Sequence, residues 1–190
     1  MPSFSAGTTR SAAYRVLATD YNLAINNVNY LASGTVGTGR ASVMATSVLN
    51  TSLPASAASW TNMLFATEQY DTSGMHDTTT NTGRLTVPAG EGGLYLIQAT
   101  ANLAQSGNAG GIVLQVRKNG AASTAPTLQD SSSLFTSLTA NFTPSCSVSG
   151  LVRLAAADYL ELYVAQNSSA AVLLTGSTQA HRFGALWMSA

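Results

Sequence analysis

Charge is scarce in this chain of 190 residues. It holds 8 Lys and Arg and 8 Asp and Glu, so charged residues make up 8% of the chain and the formal net charge is +0. An average soluble domain has about 25% charged residues. Without a basic face the chain cannot neutralise many phosphates, so we expect no nucleic-acid binding and no polybasic membrane contact. Charge also keeps soluble monomers apart, and this composition therefore favours an assembled protein.

Groups that could carry out catalysis are equally sparse. With two His and one Cys, the sequence supports no nucleophile-and-base arrangement and no intrachain disulfide. Cys146 is best interpreted as a small buried apolar residue. We therefore expect a protein that is not an enzyme and uses no cofactor. A hydrolase acting on surface polysaccharide is a third hypothesis, but no pair of carboxylates supports it.

Long apolar runs are missing as well. No stretch approaches the roughly 18–20 residues of a membrane-spanning helix, so we expect no membrane insertion. The first fifteen residues contain no apolar segment of the kind found in signal peptides. We therefore expect synthesis in the cytoplasm of the host cell without a signal peptide.

Residues 1–59 are predicted to form an arm that contains one short helix. From Thr19 to Gly34, apolar residues recur at helical spacing and asparagines line the opposite face. Either this helix rests on its own domain or, as we favour, it docks on a partner chain through paired asparagines. The predicted docking residues are Tyr21, Asn22, Ile25, Asn26, Val28 and Asn29. Residues 33–59 are small and polar and indicate a linker, with a short strand around 41–49.

From Trp60 onward the hydrophobic pattern has a period of two. Short alternating segments recur every 10–15 residues with turn residues between them, and Asn119-Gly120 is a strong signal for a tight turn. No second helix is indicated. The sequence therefore predicts an all-β fold, an antiparallel jelly-roll sandwich of about 8–10 strands over residues 60–190.

Two groups of residues are candidates for binding. The segment EQYDTSGMHD brings together carboxylates and an imidazole that could hold a divalent cation, although a polar loop between strands is favoured. These weak metal candidates are Glu68, Asp71, His76 and Asp77. In the second group, alternation places Tyr159, Glu161 and Tyr163 on one face of a strand. That face suits either a subunit contact, which we favour, or a sugar.

Three stretches resemble the C1q/TNF-like jelly-roll superfamily, in the forms encoded by phages and bacteria. The first is NTGRLTVPAGEGGLY, whose matching residues are Asn81, Gly83, Leu85, Val87, Pro88, Gly93, Leu94 and Tyr95. The second is the hairpin ADYLEL, in which Asp158, Leu160 and Leu162 match and Ala157 stands where the family has glycine. The third is the closing segment RFGALWMSA. The resemblance covers about residues 60–190.

This resemblance implies a ten-stranded jelly roll that assembles as a trimer, with apolar faces at the threefold axis, and that binds rather than catalyses. The segment VLATDYNLAINNVNYL is similar to phage structural proteins in which an arm precedes an exposed head. We therefore expect a homotrimeric capsid decoration protein or short head fibre on the virion surface, held to other virion proteins by residues 1–59. The alternative is a receptor-binding tip that recognises host surface glycan.

Overall fold

The computed structural model describes residues 41–102, 110–134, 145–167, 171–174 and 181–189. By its internal contacts the chain divides into Met1–Thr38 and Gly39–Ala190, and every described residue belongs to the second unit. The predicted docking helix at residues 19–34 lies outside the described residues. Within them, no helix is long and apolar enough to cross a membrane.

The described residues form twelve strands. In chain order they are β1 (Ser42–Ser47), β2 (Thr51–Leu53), β3 (Ser56–Asn62), β4 (Thr67–Asp71), β5 (Arg84–Thr86), β6 (Gly93–Asn102), β7 (Gly110–Lys118), β8 (Leu128–Leu134), β9 (Ser145–Leu154), β10 (Tyr159–Gln166), β11 (Val172–Leu174) and β12 (His181–Ser189).

Two five-stranded antiparallel sheets make up the body. The first has the order β4-β1-β12-β6-β9. The second has the order β3-β10-β7-β8, with β5 paired to β10 beside β3. A further pair is formed by β2 and β11. Neighbours in these sheets are mostly far apart in the sequence, which is the crossing connectivity of a sandwich rather than of a simple meander. The predicted all-β antiparallel fold is confirmed.

The core lies where the alternating apolar faces of the two sheets meet. Tyr95, Ile97 and Ala99 of β6 point inward and are fully buried, as are Leu162 and Val164 of β10. This is the period-two pattern of the sequence, because successive side chains of a strand point to opposite faces.

The predicted boundary at residue 60 does not mark the start of the sandwich. Residues 41–59, assigned to the arm by sequence, form β1 and β2 and most of β3. Along β1, Val43 and Ala45 are fully buried and the strand pairs with β12 on one side and β4 on the other. Small side chains hid this from the hydrophobic pattern, because alanine and serine give little contrast between the two faces of a strand. The sandwich therefore begins by Ala41, and the short strand expected around 41–49 is part of its first sheet.

Candidate functional site

The four metal candidates lie on β4 and in the loop that follows it. His76 Nδ1 is 3.2 Å from Glu68 Oε2, with the imidazole side chain fully buried. Asp71 folds the loop, because its carboxylate accepts hydrogen bonds from the backbone N–H of Ser73 (3.1 Å), Gly74 (2.9 Å) and His76 (2.8 Å). Two of the candidates therefore meet, and a third shapes the loop around them.

Asp77 binds groups of its own loop. One carboxylate oxygen accepts hydrogen bonds from the backbone N–H groups of Thr80 (2.9 Å) and Thr79 (2.8 Å) and from the Thr79 hydroxyl (2.7 Å). These bonds, above all the one from Thr80, lower the pKa of Asp77 to about 2. Among the residues that the structure describes, no group of three His, Cys, Asp or Glu could hold a metal ion. Here the cluster organises a polar loop.

Tyr159, Glu161 and Tyr163 share the outward face of β10, as the alternation predicted. They do not form an open platform, because Glu161 is only 5% exposed. Arg84 of β5 donates from Nε to Glu161 Oε1 over 2.9 Å, and its guanidinium lies 4.1 Å from the centre of the Tyr159 ring. Arg84 and Glu161 are direct neighbours in the β5–β10 register.

Arg117 of β7 covers the other end of this face. Its guanidinium lies 3.9 Å from the centre of the Tyr163 ring and 4.7 Å from that of Trp60. Arg117 Nε donates to Gln115 Oε1 over 3.0 Å, whereas Nη2 is buried without a hydrogen-bond partner. Loss of solvent lowers the pKa of this guanidinium. Each tyrosine ring is thus stacked against an arginine of its own chain, which removes one of its faces from any outside partner.

The sequence did not predict that these two arginines lie next to Glu161. Arg117 could be placed on the outward face of its strand by alternation, but its position opposite Glu161 depends on the β7–β10 register. Arg84 is separated from Glu161 by 77 positions along the chain. No local sequence pattern carries that information.

An open depression of about 320 Å³ lies next to this face. It is bordered by the end of β3, the loop before β5 and the outward side of β10. The groups that matter for its chemistry are Asn62, Leu64, Thr79, Asn81, Arg84 and Glu161. A second depression, of about 230 Å³, lies on the other side of Asn81 and Arg84 and reaches His76 and Asp77.

The outward face of the other five-stranded sheet carries exposed leucines, with the exposed side chains of Arg153 and Arg182 on the same face. Leu186, Leu96 and Leu151 are exposed by 45%, 37% and 59%. They are direct cross-strand neighbours, because Leu186 pairs with Leu96 across β12 and β6, and Leu96 pairs with Leu151 across β6 and β9. We call these three residues the leucine row. Tyr70 and Met188, also about half exposed, lie on the edge strand β4, which β1 separates from β12, and at the end of β12.

No protein-family model and no curated protein sequence matches this chain. Among solved structures, the chain is similar to the crystal structure of murine APRIL at pH 5.0. The TM-score is 0.54 at 14% sequence identity, over 78% of this chain and 99% of that one.

Murine APRIL is a TNF-family jelly-roll protein. At this low identity the similarity concerns the fold alone, and it shows that the present chain has a jelly-roll fold resembling that of TNF-family proteins. The resemblance read from Asn81, Tyr95 and Asp158 is thereby confirmed at the level of the fold.

Proposed function

We propose that this chain is a non-catalytic, homotrimeric structural protein of a phage virion, with the jelly roll as its exposed head. The observation that carries the homotrimeric part of this proposal is the leucine row. The three half-exposed leucines are cross-strand neighbours on adjacent strands, so they form a continuous apolar strip on the outward face of the sheet. Contiguous exposed apolar surface of this kind marks a site of protein association.

A second copy of the chain is the partner best suited to the leucine row. The TNF-like neighbour is of a fold that forms homotrimers, and a chain with only 8% charged residues has little electrostatic repulsion between copies. Covering the exposed part of each leucine would contribute about 1 kcal/mol. Three such residues in each of three subunits supply a substantial part of the free energy of association.

This proposal moves the subunit contact away from the tyrosine face. Tyr159 and Tyr163 already stack on Arg84 and Arg117 of the same chain, and Glu161 is neutralised by Arg84. Because these side chains are already paired within the chain, the tyrosine face is less suited to contact a second copy than the leucine row.

The oligomeric state tests this step. Light scattering on the purified full-length chain should give about three times 19.5 kDa. Leu151→Lys should shift the protein to lower mass while the far-UV circular dichroism stays that of a folded sheet, because the side chain is 59% exposed. Leu64→Lys is the matched control, since Leu64 is 56% exposed and lies off this sheet. A wild-type monomer at micromolar concentration, or a trimer insensitive to Leu151→Lys, would contradict the proposal.

The virion role is supported by the sequence resemblance of residues 16–31 to phage structural proteins and by the scarcity of catalytic groups. Electron microscopy of intact particles, labelled with an antibody against the jelly roll, tests it. Label distributed over the capsid supports a decoration protein or head fibre. Label confined to the tail tip supports the alternative, a receptor-binding tip that recognises host surface glycan. Unlabelled particles would contradict both.

A further inference from the structure

The depression beside Arg84 has a firmly held wall. Arg84 N donates to the carbonyl of Asn81 over 2.9 Å, and Phe65 N donates to that of Thr82 over 3.0 Å. Met63 N in turn donates to Leu162 O over 2.9 Å. These bonds fasten the end of the loop to β5 and to the segment after β3, and that segment to β10. The backbone around the depression is therefore preorganised, which lowers the entropic cost of binding.

The chemistry of the lining is polar but close to neutral. The Arg84 guanidinium is paired through Nε with Glu161, and the Arg84 side chain remains 37% exposed. The carboxamide of Asn81 is exposed at the rim. Because the one cation is compensated by a carboxylate 2.9 Å away, a strongly anionic ligand such as phosphate gains little there.

An exposed apolar side chain completes the site. Leu64 borders the same depression and is 56% exposed. A planar guanidinium and a carboxamide can each bond to adjacent hydroxyl groups, and a leucine can cover an apolar ring face. At about 320 Å³ the depression lies at the small end of ligand sites, which suits one small ring rather than an extended chain.

We propose that the depression between Asn81, Arg84 and Leu64 binds a neutral saccharide unit. This deepens the alternative function given above, glycan recognition, and it relocates the sugar from the tyrosine rings to the neighbouring loop. The tyrosine face supports the site indirectly, because the guanidinium of Arg84 stacks on the Tyr159 ring.

The test is saturation-transfer NMR on the full-length protein with methyl glycosides of glucose, galactose and N-acetylglucosamine at millimolar concentration. At least one neutral sugar should give transfer signals. Asn81→Gly should weaken its binding by about tenfold or more, the loss expected for one hydrogen-bonding side chain. The backbone should be preserved, because Asn81 has φ 53° and glycine adopts that conformation without strain.

Ala157→Gly is the matched control. Ala157 also has a positive φ, 68°, but lies in the turn before β10 and outside the lining of the depression, so this variant should bind the sugar like the wild type. Absence of signal with all three neutral sugars would overturn the proposal, as would binding unchanged by Asn81→Gly. N-acetylneuraminic acid, an anionic sugar, is measured alongside, and transfer signals from it alone would also overturn the proposal. The oligomeric mass, measured on the same samples, separates this failure from a failure of the proposed trimer.

Discussion

Replacing Ala157 by glycine is expected to stabilise the jelly roll. Ala157 has φ 68°, a left-handed conformation that costs a residue with a β-carbon about 1–2 kcal/mol. Glycine removes that cost but gives back about 0.5–1 kcal/mol because its unfolded chain is freer. Since the Ala157 side chain is exposed, no core contact is lost. The net gain in unfolding free energy should be about 0.5–1 kcal/mol.

The turn itself should survive this change. Ala157 N donates to Val87 O over 2.9 Å and Asp158 N to Ala155 O over 3.1 Å, while the Asp158 carboxylate accepts from Ala155 N over 2.6 Å. All of these bonds use backbone atoms or the Asp158 side chain, so the substitution leaves them in place. This geometry also explains why glycine occupies the corresponding position in the family pattern.

Urea unfolding at one fixed protein concentration measures the effect, because the stability of an oligomer depends on concentration. A gain of this size corresponds to a rise of about 1–4 °C in Tm for a chain of this length. Ala156→Gly is the control within the same turn. Its φ is not positive, so glycine there should lower stability by up to about 1 kcal/mol. If Ala157→Gly were no more stable than the wild type, the strain assigned to this turn would be wrong.

Two further predictions concern pH and the domain boundary. Burial lowers the pKa of His181, which is 1% exposed and accepts a hydrogen bond at Nδ1 from Asn102 N over 3.1 Å. The folded state therefore holds His181 neutral, and stability should be full above the unfolded pKa of about 6.5 and fall by up to about 1.4 kcal/mol per pH unit below it. His181→Asn keeps a hydrogen-bond acceptor but does not titrate, so its urea unfolding midpoint should change less between pH 7.5 and 5.5 than that of the wild type. If the midpoints of both proteins fell in parallel over this range, His181 would not be the cause of the pH dependence. The pKa values of Asp77 and Asp158 are lowered to about 2, so both carboxylates stay ionised between pH 7.5 and 5.5 and affect stability only at lower pH. For the boundary, deleting residues 1–38 should leave a folded jelly roll by near-UV circular dichroism, whereas deleting 1–59 removes β1 and β2 and should prevent folding. A folded product of the longer deletion would show that β1 is dispensable.

The turns and alternating strands could be predicted because their signals are local. Asn119-Gly120 forms the predicted tight turn, with φ 52° and 70° and a hydrogen bond of 3.0 Å from Ala121 N to Lys118 O. The alternation of Leu160 and Leu162 with Tyr159 and Glu161 correctly assigned the two faces of β10.

Features set by strand pairing could not be predicted in the same way. Strand β1 joins the sheet through β12, at the other end of the described chain, and its alanines and serines show little hydrophobic contrast. The leucine row is likewise a property of register. Leu96, Leu151 and Leu186 come from three separate strands, and the sequence does not show that these strands are neighbours.

The outward faces of the two sheets differ in how many of their side chains find partners within the same chain. Among the described residues, the ion pair Arg84–Glu161 lies on the outward face of β5 and β10, and Lys118–Asp158 joins the end of β7 to the turn before β10. Those contacts consume part of the small charge content of the chain on one side of the molecule. The opposite sheet presents the leucine row instead, and water is a poor partner for such a strip. A chain with few charges can remain in solution in this arrangement if copies meet on the leucine row and leave the sheet with these two ion pairs exposed to water. That is why the oligomeric contact and the saccharide site are expected on opposite sheets, and why Leu151→Lys and Asn81→Gly should act independently of each other.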